Sequence, residues 1–125
     1  MDKEFIPYEE ALALKELGFD EPCLAYYGEL NGGEIELFLK KEFNTDAKYV
    51  LTPLYQQAFR WFREKYKLQA EILWRGDMDC FCYKTGKFKQ GSHSFSEQDY
   101  KTYEEAELAC LRKLIEIIKE KPPKN

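Results

Sequence analysis

Apolar residues in the last third of the chain recur at the spacing of an amphipathic helix. They stand three and four residues apart, at Ala106, Cys110, Leu111, Leu114, Ile117 and Ile118. Thr102 and Glu105 have the spacing of a capping box, so the helix is predicted to begin at Tyr103. Pro122 and Pro123 cannot continue it. We therefore expect one long helix with a wide apolar face that lies across a sheet.

Two further helices follow from local signals. Pro7 to Glu10 opens a helix that Gly18 closes, with Leu14 and Phe19 spaced for the apolar contact of a Schellman ending. Thr52 and Pro53 are predicted to cap a second helix. Its core face combines large aromatic and small apolar residues, namely Leu54, Tyr55, Ala58, Phe59, Trp61, Phe62 and Tyr66. Such a face is most simply a core, because each large buried side chain contributes about 1.5–3 kcal/mol.

Between these helices the period changes to that of strands. Predicted strands cover Cys23–Leu30, Glu34–Leu39, Leu68–Trp74 and Asp79–Lys84, with a polar edge strand or loop over Lys87–Phe95. Asn31-Gly32-Gly33 is predicted to turn the first pair into a hairpin with one face buried, and residues 43–50 to form a surface loop. The order α-ββ-α-βββ-α predicts an α+β domain, an antiparallel sheet covered by helices.

Length and composition define the broad class. The 125 residues suffice for a single α+β domain over residues 1–120, followed by a frayed tail at 121–125. No apolar run is long enough for a membrane span, and no signal-peptide pattern occurs, so we expect no membrane partner and a cytoplasmic location. The four cysteines are expected to be thiols there.

The chain contains few groups suited to catalysis or metal binding. His93 is the only histidine, and no orienting partner can be named for it. Cys80 and Cys82 point to one side of a strand, but a structural zinc site needs four ligands. Whether this pair binds a metal stays open. We predict that the protein is not an enzyme, with no catalytic residue, metal site or cofactor.

Charge is distributed unevenly. Residues 60–89 contain eight Lys or Arg and four acids, in a chain whose net charge is −4. This excess fits a basic strand face that binds phosphates, with aromatic rings for stacking. The alternative is a solvated sheet edge, which we favour. The candidate nucleic-acid residues are Arg60, Arg63, Lys67, Arg75, Lys84, Lys87, Lys89, Trp74 and Tyr83, with Phe81 and Phe88 as further rings nearby.

The stretch from Thr52 to Lys119 resembles double-stranded RNA-binding domains in its α-βββ-α order. In that family the last helix begins with a lysine-rich phosphate-binding motif. The corresponding start here, at Thr102–Glu107, is acidic. The resemblance therefore extends to the order of elements and does not carry the activity.

A second resemblance covers more of the chain. The stretches Ile6–Cys23, Leu54–Tyr66 and Tyr103–Ile118 are similar to small uncharacterised proteins of Bacteroidota bacteria and their phages. This resemblance implies an accessory or mobile-element setting and supplies no activity or site.

Three functions are consistent with these patterns. The first is a non-enzymatic intracellular binding protein, a phage or mobile-element accessory, that recognises a protein partner through strands and hairpins on a helical frame. The second is a nucleic-acid binder that uses the basic strand face. The third is a small-molecule or nucleotide-binding pocket walled by aromatic residues. A strand edge could also pair two copies of the chain.

Overall fold

The computed structural model describes residues 4–29, 33–39, 49–87 and 93–120. Three helices, α1 (Tyr8–Glu16), α2 (Tyr55–Tyr66) and α3 (Tyr103–Glu120), alternate with two antiparallel sheets. The first sheet contains β1 (Ala25–Glu29), β2 (Ile35–Leu39) and β3 (Tyr49–Thr52). The second contains β4 (Leu68–Arg75), β5 (Cys80–Lys87) and β6 (His93–Phe95). The predicted α+β class and order are confirmed, with β3 as one strand more than predicted.

The chain contacts divide it into two compact units, Met1–Gln57 and Ala58–Asn125. The prediction of a single domain over residues 1–120 stays a prediction. Residues 121–125, the Asn31-Gly32 turn and Lys89 lie outside the described residues.

In the first unit, β1 is the central strand, in the order β2-β1-β3. The carbonyl oxygen of Ile6 accepts hydrogen bonds from the Tyr27 hydroxyl at 2.8 Å and from Thr52 Oγ1 at 2.6 Å. This pairing explains why Thr52 does not cap α2, as its sequence position suggested. Its buried hydroxyl donates to the Ile6 carbonyl instead, and Thr52 is the last residue of β3.

Helix α1 ends as predicted. Gly18 has a φ of 101°, the amide of Phe19 donates to the Leu14 carbonyl at 2.9 Å, and the Gly18 amide donates to Lys15 at 3.0 Å. These are the two hydrogen bonds of the Schellman ending. A glycine is required because L side chains rarely adopt this φ.

The prediction of a buried apolar face on β2 is wrong at two positions. Ile35 and Leu39 are exposed, whereas Phe38 stacks on buried Tyr26 with ring centroids 5.5 Å apart. Strand alternation identifies the residues that share one side of a strand. It does not determine whether another element covers that side.

In the second unit, β5 is the central strand and pairs with β4 over eight residues. Helix α3 packs against both strands, with its apolar face fully buried at Ala106, Cys110, Leu111 and Leu114. The Glu105 amide donates to Thr102 Oγ1 at 3.1 Å, which confirms the predicted cap. The Glu105 carboxylate accepts from the Thr102 hydroxyl at 3.0 Å, and not from the backbone amide that a capping box uses.

Candidate protein-interaction surface

The hairpin of β4 and β5 separates its side chains onto two sides of the second sheet. Residues directly opposite in an antiparallel pair lie on the same side. The register places Trp74 opposite Phe81 and Ile72 opposite Tyr83 on the side that α3 covers, where the Phe81 and Tyr103 rings meet at 5.9 Å. Glu71, Leu73, Arg75 and their β5 neighbours Lys84, Cys82 and Cys80 lie on the opposite side.

An exposed apolar patch lies at the turn end of this hairpin. Trp74 is 65% exposed, Met78 in the turn is 57% exposed, and Tyr103 at the start of α3 is 46% exposed. Phe81 is half-buried between Trp74 and Tyr103. We refer to Trp74, Met78, Phe81 and Tyr103 as the hairpin patch. Large exposed apolar side chains grouped in this way mark interaction sites more often than scattered ones do.

The turn is shaped around the Trp74 indole. A Cβ atom at Gly76 would lie 3.0 Å from the indole Cη2 and 3.2 Å from Cζ3. The ring therefore folds over the backbone at Gly76. Met78 closes the turn by donating its amide to the Arg75 carbonyl at 3.1 Å. A large aromatic side chain thus lies on the surface, against the backbone of its own turn.

A carboxylate beside the patch has an altered acidity. Glu107 follows Tyr103 by one helical turn, and burial, with a smaller effect of Glu104, raises the pKa of Glu107 to about 7. Burial also raises the pKa of Tyr103, to which the Glu107 charge adds. The pKa of the Cys110 thiol is raised to about 12, again chiefly by burial. The carboxylate beside the patch therefore titrates near neutral pH.

The structure separates the basic residues that the sequence grouped. Arg75 and Lys84 lie on the side of the sheet away from α3, whereas Lys87, opposite Leu68, lies on the α3 side. Arg60 and Arg63 are exposed on α2, and Lys67 donates its ammonium to the Glu64 carbonyl at 2.9 Å. Because neighbouring strand residues alternate between sides, a basic run along a strand does not make one basic face.

Acidic partners accompany the strand cations. Arg75 Nη1 lies 3.3 Å from Asp99 Oδ1, and this carboxylate raises the pKa of Arg75. Glu71 stands opposite Lys84 in the register, and Lys84 Nζ lies 6.0 Å from the centroid of the Phe95 ring. The charged residues on the side of the sheet away from α3 are therefore of mixed sign around the buried Cys82, which favours a solvated edge over a phosphate-binding face.

A groove runs beside Tyr83, between the outer flank of α3 and the segment after β6. The rings of Tyr83 and Tyr100 are nearly parallel, with centroids 6.3 Å apart. Two adjoining parts of the groove have volumes of about 380 and 310 Å³, and both include Lys113 and Glu116. Burial, followed by the interaction with Tyr100, raises the pKa of Tyr83 to about 12. Tyr83 therefore belongs to an aromatic groove and not to a basic strand face.

Metal-ligating residues are sparse in the described parts of the chain. Cys80 and Cys82 lie on the same side of β5, as expected, and burial followed by the charge of Asp99 raises the pKa of the Cys80 thiol. Among residues 4–29, 33–39, 49–87 and 93–120, no three His, Cys, Asp or Glu side chains are grouped to hold a metal ion. No described helix has the length and apolar character needed to cross a membrane.

Sequence reasoning missed two parts of this surface. Trp74 was considered only as a stacking ring, and Met78 and Tyr103 were not connected with it. Asp99 and Tyr100 belong to no element predicted from the sequence, yet Tyr100 forms a bridge with Phe81 through two hydrogen bonds of 2.7 Å. The signal that could have identified the patch is Trp74 itself, a large apolar residue one position from a predicted turn.

Comparisons with known proteins add no further constraint. Neither protein-family models nor curated proteins nor solved structures give a match to this chain. The resemblances drawn from the sequence therefore stay predictions.

Proposed function

We propose that this chain is a non-enzymatic binding protein that recognises a protein partner through the hairpin patch. The observation that carries the proposal is the 65% exposure of Trp74 at a position where its ring lies against the backbone of Gly76. Tryptophan and tyrosine are the residue types most often found to dominate binding energy at protein interfaces. An exposed indole on the same hairpin end as exposed Met and Tyr side chains offers such a contact.

The second support is the position of the patch on a hairpin. Loops and turns carried by a packed frame can vary without loss of the core. The patch lies at the turn end, while Leu111, Leu114 and Phe62 in the same unit are fully buried. An accessory of a phage or mobile element, in the cytoplasm of the host, is the setting that the sequence resemblance implies, and it is part of the same proposal.

The test is capture of partners from host lysate by the tagged protein, with and without nuclease. We expect at least one discrete protein to be retained after nuclease treatment by the native chain and by Leu24→Ala, and lost with Trp74→Ala. Leu24 is the matched control, because it is 64% exposed but lies in the other unit. Equal retention by the Trp74 and Leu24 variants would contradict the proposal.

The nuclease-treated arm also tests the nucleic-acid alternative. If nucleic acid is recovered and the proteins are lost on nuclease treatment, the result supports nucleic-acid binding by the basic residues. In that case binding should weaken steeply with salt, and Lys84→Gln with Lys87→Gln should reduce it.

A second candidate function, binding of a small molecule, is favoured by the groove beside Tyr83. Two nearly parallel tyrosine rings in a groove of this volume suit a planar ligand of modest size. A retained ligand would appear as an added mass in native mass spectra of the purified protein. The added mass should then disappear with Tyr83→Ala and persist with Trp74→Ala.

A further inference from the structure

The strand β4 lies at one edge of the second sheet, whose order is β4-β5-β6. It runs for eight residues, Leu68–Arg75, without a proline, whereas β6 at the other edge has three. No described strand pairs with the outer edge of β4. A long edge of this kind exposes backbone donors and acceptors and is a template for pairing with another strand.

The side chains of β4 are self-complementary when the strand meets its own copy in antiparallel orientation. A twofold axis normal to the sheet keeps α3 on the same side in both copies, and the register then matches residues of equal side. With the axis at Leu73, Glu71 of each copy stands opposite Arg75 of the other, and Ile72 stands opposite Trp74.

Neighbouring registers are less favourable for the same side chains. An axis at Glu71 or at Arg75 places like charges opposite each other, which is destabilising. An axis at Ile72 places Glu71 opposite Leu73, and an axis at Trp74 places Arg75 opposite Leu73. Of the five axes from Glu71 to Arg75, the one at Leu73 alone matches both charged residues with opposite charges.

The charged groups are accessible for this contact. Glu71 and Arg75 are both exposed, and Arg75 uses Nη1 toward Asp99. A guanidinium has five N–H donors, so others are left for a second carboxylate. The paired segment is the half of β4 nearest the turn, which includes Trp74.

We propose that two copies of this chain form a twofold-symmetric dimer through antiparallel pairing of their β4 strands, centred on Leu73. The two sheets then become one sheet of six strands, with Trp74 of each copy against Ile72 of the other. This inference rests on the proposed function, because it identifies a second copy as one protein partner of the hairpin patch.

Site-specific cross-linking is the direct test of the register. Because Cys82 stands opposite Leu73 within the chain, the background is Cys80→Ser with Cys82→Ala. In it, Leu73→Cys should form a disulfide-linked dimer under mild oxidation, because the two Leu73 positions face each other across the axis. Gln69→Cys in the same background is the control. Its two copies stand about 26 Å apart in this register and should stay unlinked.

Light scattering at increasing protein concentration measures the dimer itself. We expect the native chain to be dimeric, and Glu71→Arg to raise the dissociation constant about tenfold or more, because both symmetric charge pairs become repulsive. Glu64→Arg makes the same charge change on the exposed part of α2 and should leave the dissociation constant of the dimer unchanged.

The inference would be overturned if the chain stays monomeric at a concentration of about 100 µM. It would also be overturned if the chain forms a dimer that does not link through Leu73. A monomeric chain that still captures a host protein in a Trp74-dependent manner would refute the dimer and leave the proposed function intact. A dimer linked through Leu73, with no captured protein that depends on Trp74, would support the dimer and reject a separate host partner.

Discussion

The two tryptophans of this chain lie in contrasting regions. Trp61, on the aromatic face of α2, is buried, with its ring 5.1 Å from that of Phe62 and 5.4 Å from that of Tyr66. Trp74, in the hairpin patch, is mostly exposed and folds over Gly76. The first region belongs to the core, and the second is available to a partner. Residue type alone therefore does not distinguish a core aromatic residue from a binding one, and the position relative to the covering elements does.

Replacing one residue from each region should give the largest difference in the free energy of unfolding. Phe62→Ala should lower the free energy of unfolding by about 3–5 kcal/mol, because a fully buried ring is lost and a cavity remains. Trp74→Ala should change it by about 0.5 kcal/mol or less, as surface substitutions usually do. Urea unfolding measures both. Similar losses of unfolding free energy in the two variants would show that Trp74 belongs to a core. The contrast between the two tryptophans would then be wrong.

Replacing Glu107, the half-buried carboxylate beside the patch, should change the free energy of unfolding by an intermediate amount. Because the pKa of Glu107 is raised from 4.5 to about 7 in the folded state, the folded chain favours its protonated form. The stability that this provides is complete below pH 4.5 and is lost as the pH rises through 7. Glu107 is only half-buried, so water screens part of its charge. We therefore expect Glu107→Gln to stabilise the chain by about 1 kcal/mol above pH 7.

The measurement for Glu107 is urea unfolding between pH 4 and pH 8. The gain from Glu107→Gln should shrink as the pH falls from 7 towards 4.5 and vanish below 4.5, where the carboxyl group is neutral in both the folded and the unfolded chain. Glu64→Gln on the exposed face of α2 serves as control and should show no such dependence. A gain that is the same at all pH values would assign the effect to packing and not to charge.

The smallest expected effect concerns the ion pair on the other side of β4. Arg75→Gln should lower the free energy of unfolding by less than either change above, since the pair with Asp99 is exposed and screened. The difference from the native chain should decrease further in high salt. A loss as large as that of Phe62→Ala would mean that Arg75 stabilises the hairpin by more than its surface ion pair with Asp99.

Much of the fold was predictable because its signals are local. The cap at Thr102, the ending of α1 at Gly18 and the apolar faces of α2 and α3 depend on residues within one or two turns of each other. The register of β4 and β5 was also within reach, because a tight turn at residues 76–79 fixes which strand residues are opposite. Strand β3 was missed, since it is short and forms only by pairing with β1, distant in sequence.

The surface was less predictable than the fold. The basic residues form a run in the sequence, but the strand period divides them between two sides, and Asp99 meets Arg75 from a connection 24 residues away. The hairpin patch joins residues of β4, the turn, β5 and α3. No short window of sequence contains them all.

The sequence by itself determined the helices, their ends and most strands, because caps, glycines and apolar periods act through neighbouring residues. Only the tertiary structure decided which apolar side chains are covered. Trp61 and Phe62 are buried, while Trp74, beyond the part of its side that α3 covers, and Ile35 are exposed. Burial is a property of the packed arrangement, and it is burial that separates the core from the surface proposed for binding.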